Sequence, residues 1–177
     1  RKHDEDPVWK IFQLYNKEFL MKKMSITAFL MSSLVLSTQA FAADFSITKE
    51  KQPSRMLVLS SAGGLSSSLF SILHGDLRDI PLESKTGKIT GINYTSANYP
   101  DSFGEIVELC FYRAYNNNPV KCEPIVPNST GEVTVFNGES FKPGIQVSIV
   151  HRVEATGTFH YSTPNRIESI TFNYTTN

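Results

Sequence analysis

Two cysteines, Cys110 and Cys122, are the residues of this 177-residue chain whose type and spacing most directly suggest chemistry. A redox-active dithiol typically has CxxC spacing at a helix N-terminus, whereas eleven residues separate these two. A zinc site would need two further ligands, and no nearby histidine supplies one. The pair therefore predicts a structural disulfide, which requires an oxidising compartment.

A disulfide within ELCFYRAYNNNPVKCEP (108–124) also predicts the register of a β-hairpin. If Cys110 lies opposite Cys122, then Tyr112 lies opposite Val120 and the chain turns at 115–117. The asparagines of that turn tolerate positive φ, so the loop can supply the left-handed residue that a three-residue hairpin connection needs.

Histidines are the next candidates for chemistry, and His151 and His160 lie near each other in sequence. A two-residue turn would place them opposite each other, as a copper or zinc pair with Glu154 or Glu168 as a third ligand. A bulged loop at 155–157, with Gly157 in the left-handed conformation, instead places His151 opposite Tyr161 on an apolar face. We favour the second register, which predicts ordinary sheet histidines and no metal site.

Motifs typical of enzymes are absent from the sequence. SSAGGLSSS (60–68) is glycine-rich but lacks the GxxxxGK[ST] and GxGxxG patterns, so a turn is favoured over a phosphate loop and no cofactor is expected. Neither GxSxG nor HExxH occurs. The carboxylates of 76–79 and 105–108 are available for hydrolysis, but acidic residues flanking strands are usually solvated. A protein without catalytic activity is favoured over an enzyme.

Aromatic and amide side chains cluster in the predicted loops INYTSANYPDSFG and FYRAYNNN. Tyrosine rings that stack and amides that form directional hydrogen bonds are typical of protein and glycan recognition. Tyr94 and Tyr112 fit core positions in strands. The predicted binding residues are those in or beside loops: Tyr99, Phe103, Tyr115, Asn116 and Asn117.

Residues 21–42, MKKMSITAFLMSSLVLSTQAFA, have the three parts of a secretory signal peptide in order. Two lysines precede a short apolar core, and Ala40-Phe41-Ala42 supplies a small-x-small cleavage site. The apolar core is shorter than the ~20 residues that span a bilayer, so no stable membrane span is expected after cleavage. Residues 1–20 do not fit an export signal and are expected to lie outside the fold.

The remaining residues, 43–177, are predicted to form a single domain that a bacterium exports, periplasmic or secreted, since the signal peptide is of the Gram-negative type. This part carries 11 Lys and Arg against 13 Asp and Glu, a formal net charge of −2. A nucleic-acid-binding domain usually has a basic stripe, so nucleic acid is excluded as the expected partner.

Short β-branched and aromatic runs separated by Gly, Pro, Asn and Ser predict strands and turns along the whole of this domain. Almost no helical spacers separate the runs, which favours a mostly antiparallel β-sandwich, Ig-like or jelly-roll-like. One stretch differs, because Leu65, Leu69, Ile72 and Leu73 have helical spacing and predict one short helix near 65–74. The predicted strands are 45–48, 55–61, 88–95, 105–115, 120–126, 131–136, 145–153, 158–162 and 166–174.

The C-terminal segment RIESITFNYTTN alternates Ile170, Phe172 and Tyr174 close to the chain end. In this it resembles the final strand of chaperone-assembled pilus subunits, which are small, exported and disulfide-bearing. The resemblance covers about a dozen residues and implies a subunit of an assembled surface structure. The cysteine pair departs from that family, in which it lies nearer the N-terminus, and membership is not inferred.

The sequence thus leads to three hypotheses of function. The favoured one is an exported non-enzymatic binding module that recognises an extracellular or periplasmic protein or glycan through the Tyr- and Asn-rich loops. The alternatives are a structural or assembly subunit and a small periplasmic hydrolase or metal-binding protein.

Overall fold

The computed structural model describes residues 43–176, so the predictions for the upstream extension (1–20) and the signal peptide (21–42) concern residues outside the described range. Two 3₁₀ turns, His74–Leu77 and Leu82–Ser84, are the helical elements among the described residues. No helix in this range is long and apolar enough to cross a membrane. The strands are β1 (Asp44–Lys51), β2 (Met56–Leu59), β3 (Gly63–Ser71), β4 (Gly87–Thr95), β5 (Ile106–Tyr112), β6 (Lys121–Ile125), β7 (Thr130–Val133), β8 (Ser140–Phe141), β9 (Gln146–Val153), β10 (His160–Ser162) and β11 (Glu168–Thr175).

These strands form two antiparallel sheets, which confirms the predicted all-β sandwich. One sheet has five strands in the order β1-β11-β4-β7, with β8 also pairing with β4, and the other has six in the order β10-β2-β3-β9-β5-β6. The chain passes back and forth between the sheets, usually after placing two consecutive strands in one of them. Each sheet is therefore assembled from segments that are distant in sequence.

The main core fills the space between the sheets. Ile92 and Phe172 of the five-stranded sheet and Leu109, Phe111 and Ile149 of the six-stranded sheet belong to one fully buried cluster. Alternation of buried and exposed positions along β11 and β9 supplies these side chains, as expected for strands with one face against a core. A second small cluster lies apart from it and contains Met56, Val58, Tyr99 and Val153.

The predicted short helix near 65–74 is wrong, because residues 63–71 form strand β3. The strand pairs with β9 over eight consecutive positions, from Gly64 opposite Val153 to Ser71 opposite Gln146. A spacing of four residues fits one helix face but equally fits one face of a strand, whose period is two. Leu65 and Leu69 accordingly share the outer face of the sheet, whereas Phe70 lies on the inner face.

The predicted hairpin between 145–153 and 158–162 is also wrong. Strand β9 is paired on one side with β3 and on the other with β5, so neither of its edges is open to β10. Strand β10 pairs instead with β2, and places Tyr161 opposite Leu57. Gly157 does have positive φ, and His151 does lie on the inner apolar face of β9. His151 and Tyr161 are not cross-strand neighbours, because Tyr161 lies opposite Leu57.

The cysteine hairpin has the predicted register. Cys110 lies opposite Cys122 in the β5–β6 pair, and the two form a disulfide. The amide of Val120 donates a hydrogen bond to the carbonyl of Phe111, which closes the connection. The left-handed residue of the loop is Tyr115, with φ of 62°, rather than an asparagine. Asn116 instead uses its side chain, which accepts a hydrogen bond from the Asn118 amide at 2.9 Å.

The C-terminal strand β11 lies in the interior of its sheet. It pairs with β1 over eight positions and with β4 on its other edge. The strand that resembles the final strand of a pilus subunit therefore has both of its edges paired with strands of the same chain.

Removal of the disulfide should lower stability without changing the sheet order. The bond closes a segment with a sequence separation of 12, and a loop of this size stabilises a fold by roughly 3 kcal/mol in the chain-entropy model. We expect the double variant Cys110→Ala, Cys122→Ala to lose about that free energy of unfolding in urea denaturation, with an unchanged far-UV circular dichroism spectrum. Equal stability of the variant and the parent would contradict a stabilising role for the bond.

Candidate functional site

Tyr99 cannot belong to an exposed binding patch, because its side chain is 1% exposed. The sequence places it in a loop, but that loop folds over one end of the six-stranded sheet and inserts the ring beside Met56, Val58 and Val153. The assignment of Tyr99 to a binding surface is therefore corrected: it is a core residue of the second cluster.

The other predicted binding residues are exposed but do not form one surface. Phe103 precedes strand β5 and Tyr115 follows it, with exposed fractions of 70% and 87%. The seven residues of β5 span about 23 Å, so the two rings lie at opposite ends of the sheet. Asn116 and Asn117 are exposed at the Tyr115 end.

A buried cluster of charge lies beneath the Tyr99 loop. His151, on the inner face of β9, has both ring nitrogens hydrogen-bonded to carboxylates: Nδ1 lies 2.7 Å from Glu105 and Nε2 lies 2.6 Å from Glu168. Both nitrogens must donate, because an ionised carboxylate only accepts. The His151 and Glu168 side chains are wholly buried, and the Glu105 side chain is 10% exposed. Since Glu168 begins β11 of the opposite sheet, the cluster joins the two sheets.

The same carboxylates hold the loop that follows β4. Glu168 accepts a hydrogen bond from the Ala97 amide at 3.2 Å, and Glu105 accepts one from the Tyr99 amide at 3.1 Å. The Tyr99 hydroxyl lies 2.7 Å from the carbonyl of Ser54, to which it donates. The loop is thus fixed at both its backbone and its ring.

Strand β3 makes room for the cluster by placing serine next to His151. Ser66 lies directly opposite His151 in the β3–β9 register, and its hydroxyl is 2.7 Å from the Tyr99 hydroxyl. The Tyr99 ring meets the His151 ring edge-on, with centroids 5.2 Å apart. A larger side chain at position 66 would compete with these two rings for space.

Charge in the cluster is set by opposing effects on His151. Burial lowers the pKa of its imidazole, but hydrogen bonds to Glu105 and Glu168 and the negative charge of both carboxylates outweigh burial and raise the pKa to about 9. Burial raises the pKa of Tyr99, and the two glutamates raise it further against the opposing hydrogen bond to Ser66. His151 is therefore a cation at neutral pH, held between two carboxylates.

This arrangement suits a structural ion cluster better than catalysis. The two glutamates approach opposite edges of the imidazole ring and cannot converge on one ion, and no group of three metal-ligating side chains in residues 43–176 is arranged to hold a metal. Because the His151 side chain is fully buried, a substrate has no access to it. One oxygen of Glu168, Oε2, is buried with no hydrogen-bond partner among the described residues.

An exposed apolar groove is the second feature of this end of the molecule. We define the leucine groove as the depression of about 540 Å³ on the outer face of β2, β3 and β9. Leu65 is 64% exposed and Leu59 is 45% exposed, although both lie in regular strands. The lining residues are Leu57, Leu59, Ala62, Gly63, Gly64, Leu65, Arg152 and Val153.

Aromatic side chains extend the groove on the β10 side. Tyr161 lies opposite Leu57 in the β10–β2 pair, is 52% exposed, and packs edge-on against Phe159 with centroids 5.8 Å apart. The guanidinium of Arg55 lies 4.8 Å from the centre of the Tyr161 ring. Phe103 lies at the same end, since its carbonyl accepts a hydrogen bond from the amide that follows β9.

Glycine is required beside the groove for steric reasons. Gly63 has φ of 70°, and a Cβ there would overlap the carbonyl of Val153. A Cβ on Gly64 would lie 2.6 Å from the sulfur of Met56. The glycines of SSAGGLSSS therefore permit a tight β2–β3 connection against β9. The turn predicted for 60–68 occupies only 60–62, and 63–68 belong to strand β3.

From the sequence, Glu105 was only an available carboxylate, and Glu168 was a possible third ligand in the disfavoured metal register of His151 and His160. Neither was predicted as an ion-pair partner of His151. The three residues are far apart in sequence and meet only because β9, β11 and the loop before β5 converge. One signal was present: His151 occupies an inward position of a strand between Ile149 and Val153, where an imidazole needs a buried partner. The leucine groove had no such signal, because Leu65 was assigned to a helix, whereas Leu57 and Leu59 were placed in the predicted strand 55–61.

Comparison with known proteins leaves function open. No family model matches the chain, and no curated protein does. Among solved structures it is similar to the crystal structure of FLHE, with 17% sequence identity and a TM-score of 0.51 over 75% of this chain and 98% of that one. The likeness shows the fold alone. A structure of infectious bursal disease virus, Gx strain, aligns with a TM-score of 0.24 and 10% identity over 77% of this chain and 35% of that one, which supports no conclusion.

Stability should fall as pH rises through the pKa of His151. A histidine with a pKa of about 9 in the folded chain and 6.5 in the unfolded chain stabilises the fold fully below pH 6.5, and this contribution is lost as pH rises to about 9. We expect the free energy of unfolding from urea denaturation to decrease by up to about 3 kcal/mol across that interval.

His151→Gln should remove this dependence, whereas the matched variant His160→Gln, on the short edge strand β10, should retain it. An NMR titration of the His151 ring in the unchanged chain provides a second measurement that does not depend on the variant folding. A midpoint near 6.5 for that ring would contradict the charged cluster.

Proposed function

We propose that this chain is an exported, non-enzymatic binding module that recognises a partner protein through the leucine groove. The supporting observation is the exposure of large aliphatic side chains on regular strands, where Leu57, Leu59 and Leu65 adjoin on β2 and β3. Contiguous exposed apolar surface of this kind is typical of protein interaction sites. Aliphatic side chains favour a protein over a glycan, because a sugar offers them few apolar partners.

The surroundings of the groove suggest the chemistry of its partner. Arg55 and Arg152 lie beside the leucines, and Arg152 forms an ion pair with Glu108. Among residues 43–176, Arg55 is in no ion pair and lies against the Tyr161 ring. We infer a partner segment with apolar anchors and a carboxylate at its margin, since arginines beside aromatic rings are frequent anchors in interfaces.

The rigid support beneath the groove fits a binding role. Strand β3 carries Leu65 outward and Ser66 inward toward the Tyr99 hydroxyl, so the charged cluster fixes the strand on which the groove is built. The disulfide is consistent with the export that the signal peptide predicts, because such bonds persist in oxidising compartments. Preformed surfaces bind with less loss of conformational entropy.

Photo-crosslinking in the producing organism tests this function. A photoreactive amino acid at position 65 should give one discrete adduct with another protein, whereas the same group at Glu83, an exposed residue of a 3₁₀ turn, should not. Replacing Leu57 with Asp in the position-65 protein should reduce the adduct at least about tenfold, since an interface anchor contributes about 2 kcal/mol or more. The change should cost about 1 kcal/mol of stability, because Leu57 is 38% exposed and aspartate is disfavoured in strands, which leaves the protein folded.

Identical products from positions 65 and 83 would overturn the proposal. An adduct of twice the chain mass would also overturn it, in favour of the assembly subunit, with the groove as an interface between copies of this chain.

A further inference from the structure

Strand β3 is longer than the strand beside it, so part of its edge has no neighbouring strand. Strand β2 pairs with β3 only at Gly63 and Gly64, the first two residues of β3. On the other side, β9 runs alongside β3 as far as its last residue, Ser71. Residues 67–71 therefore form an open edge of the six-stranded sheet, next to the short strand β2.

Backbone hydrogen bonds show which residues of β3 face this open edge. The amide that follows the strand, that of Ile72, donates to the carbonyl of Ile145 next to β9. Because the direction of the backbone groups alternates along an antiparallel strand, even-numbered residues of β3 bond to β9 and odd-numbered ones face away from it. Ser67, Leu69 and Ser71 thus direct their N–H and C=O groups to the open edge. Within residues 43–176 these groups have no hydrogen-bond partner.

The open edge is closed at both of its ends. Strand β2 covers the N-terminal end of β3. Beyond Ser71, the Leu73 amide donates to the Asp76 carboxylate at 2.8 Å, and the Leu73 carbonyl accepts a hydrogen bond from the Asp76 amide at 3.1 Å. Between these ends, residues 67–71 span about 17 Å, which is the length of one ordinary short strand.

Other edges of the two sheets carry features that discourage pairing. Strand β6 contains Pro124, and β1 has Lys49 and Lys51 at its C-terminal end. Strands β7 and β10 have only four and three residues. Proline, lysine and short length are common protections of sheet edges. Residues 67–71 read Ser-Ser-Leu-Phe-Ser, without a charge or a proline.

The open edge is continuous with the leucine groove. Leu65 lines the groove, and Leu69, which is 43% exposed, points to the same outer face of β3 two positions beyond Ser67. A chain lying along the edge would continue the line of β2 and place its outward side chains beside Leu69. Arg55, the residue before β2, lies where that chain would meet β2.

We propose that the partner bound at the leucine groove contributes an extended segment, which adds to β3 as a further β-strand along residues 67–71. A row of free N–H and C=O groups matches the backbone of another extended chain, whereas a helix uses its own backbone groups internally. The segment is uncharged where it pairs, has an apolar side chain opposite Leu69, and carries its carboxylate near Arg55. This inference rests on the proposed function, because the segment belongs to the partner of the groove.

Photoreactive amino acids placed one at a time at positions 67, 69 and 71 test the pairing in the producing organism. The attachment site on the partner is sequenced by mass spectrometry. The three side chains point to one face in steps of two residues, so an added strand should be attached at sites that shift by two along a single partner segment. A helix, with its smaller rise, would give shifts of about four or five residues.

Leu69→Pro, in the protein with the photoreactive group at position 65, provides a second test. The change removes an N–H that faces the open edge and is not bonded to β9, so the fold should persist. The adduct should decrease at least about tenfold, because the proline ring and the missing donor disfavour an added strand. The matched control is Thr48→Pro, whose amide faces the open edge of β1, since the Ala43 carbonyl and the odd-numbered residues bond to β11. The adduct should be unchanged in this control.

The outcomes separate this inference from the proposed function. An adduct at position 65 without attachment sites in steps of two, or one that a folded Leu69→Pro protein retains in full, rules out the added strand and leaves the binding function standing. If Leu69→Pro does not fold, the attachment sites decide alone. Absence of a discrete adduct at position 65, or an adduct of twice the chain mass, rules out both.

Discussion

Burial of a charged histidine between two sheets is the constraint on which this fold depends most. An isolated imidazolium in a protein interior would be strongly unfavourable, and it is tolerated only with opposite charges and satisfied N–H groups. Glu105 and Glu168 provide both, at 2.7 and 2.6 Å from the His151 ring nitrogens. Because one glutamate begins a strand of the five-stranded sheet, the charge requirement fixes how the two sheets meet at this end.

That requirement also explains an unusual strand. Strand β3 is the neighbour of β9 and must place a small polar residue opposite His151, which it does with Ser66. Ser68, the next inward residue, is likewise buried. Side chains alternate along a strand, so serines inside put Leu65 and Leu69 outside. The exposure of Leu65 in the groove is thus a geometric consequence of the inward serines of β3.

The two outer faces of the sandwich differ in surface chemistry, and its two ends differ in the contacts that hold them. One face carries the leucine groove, and the outer face of the five-stranded sheet carries hydroxyls, amides and charged side chains, so a single small domain offers an apolar and a polar surface. At one end the charged cluster holds the Tyr99 loop in place, and at the other the Cys110–Cys122 bond joins the β5–β6 hairpin. The first is a contact between sheets and the second a local one, so their removal should affect stability in different ways.

The sequence by itself determined the local features of this protein. All nine predicted strands are present, and the cysteine register is correct because a cross-strand disulfide and its turn depend on only seventeen adjacent residues, 108–124. Two interpretations failed where a short pattern was ambiguous: leucines four apart fit β3 as well as a helix, and the β9–β10 connection allowed a hairpin that the pairing of β9 with β3 and β5 excludes. Only the tertiary structure decided that Tyr99 is buried and that His151 meets Glu105 and Glu168. These outcomes depend on which distant strands become neighbours, and that choice is made by the packing of the whole sandwich rather than by any local spacing of residues.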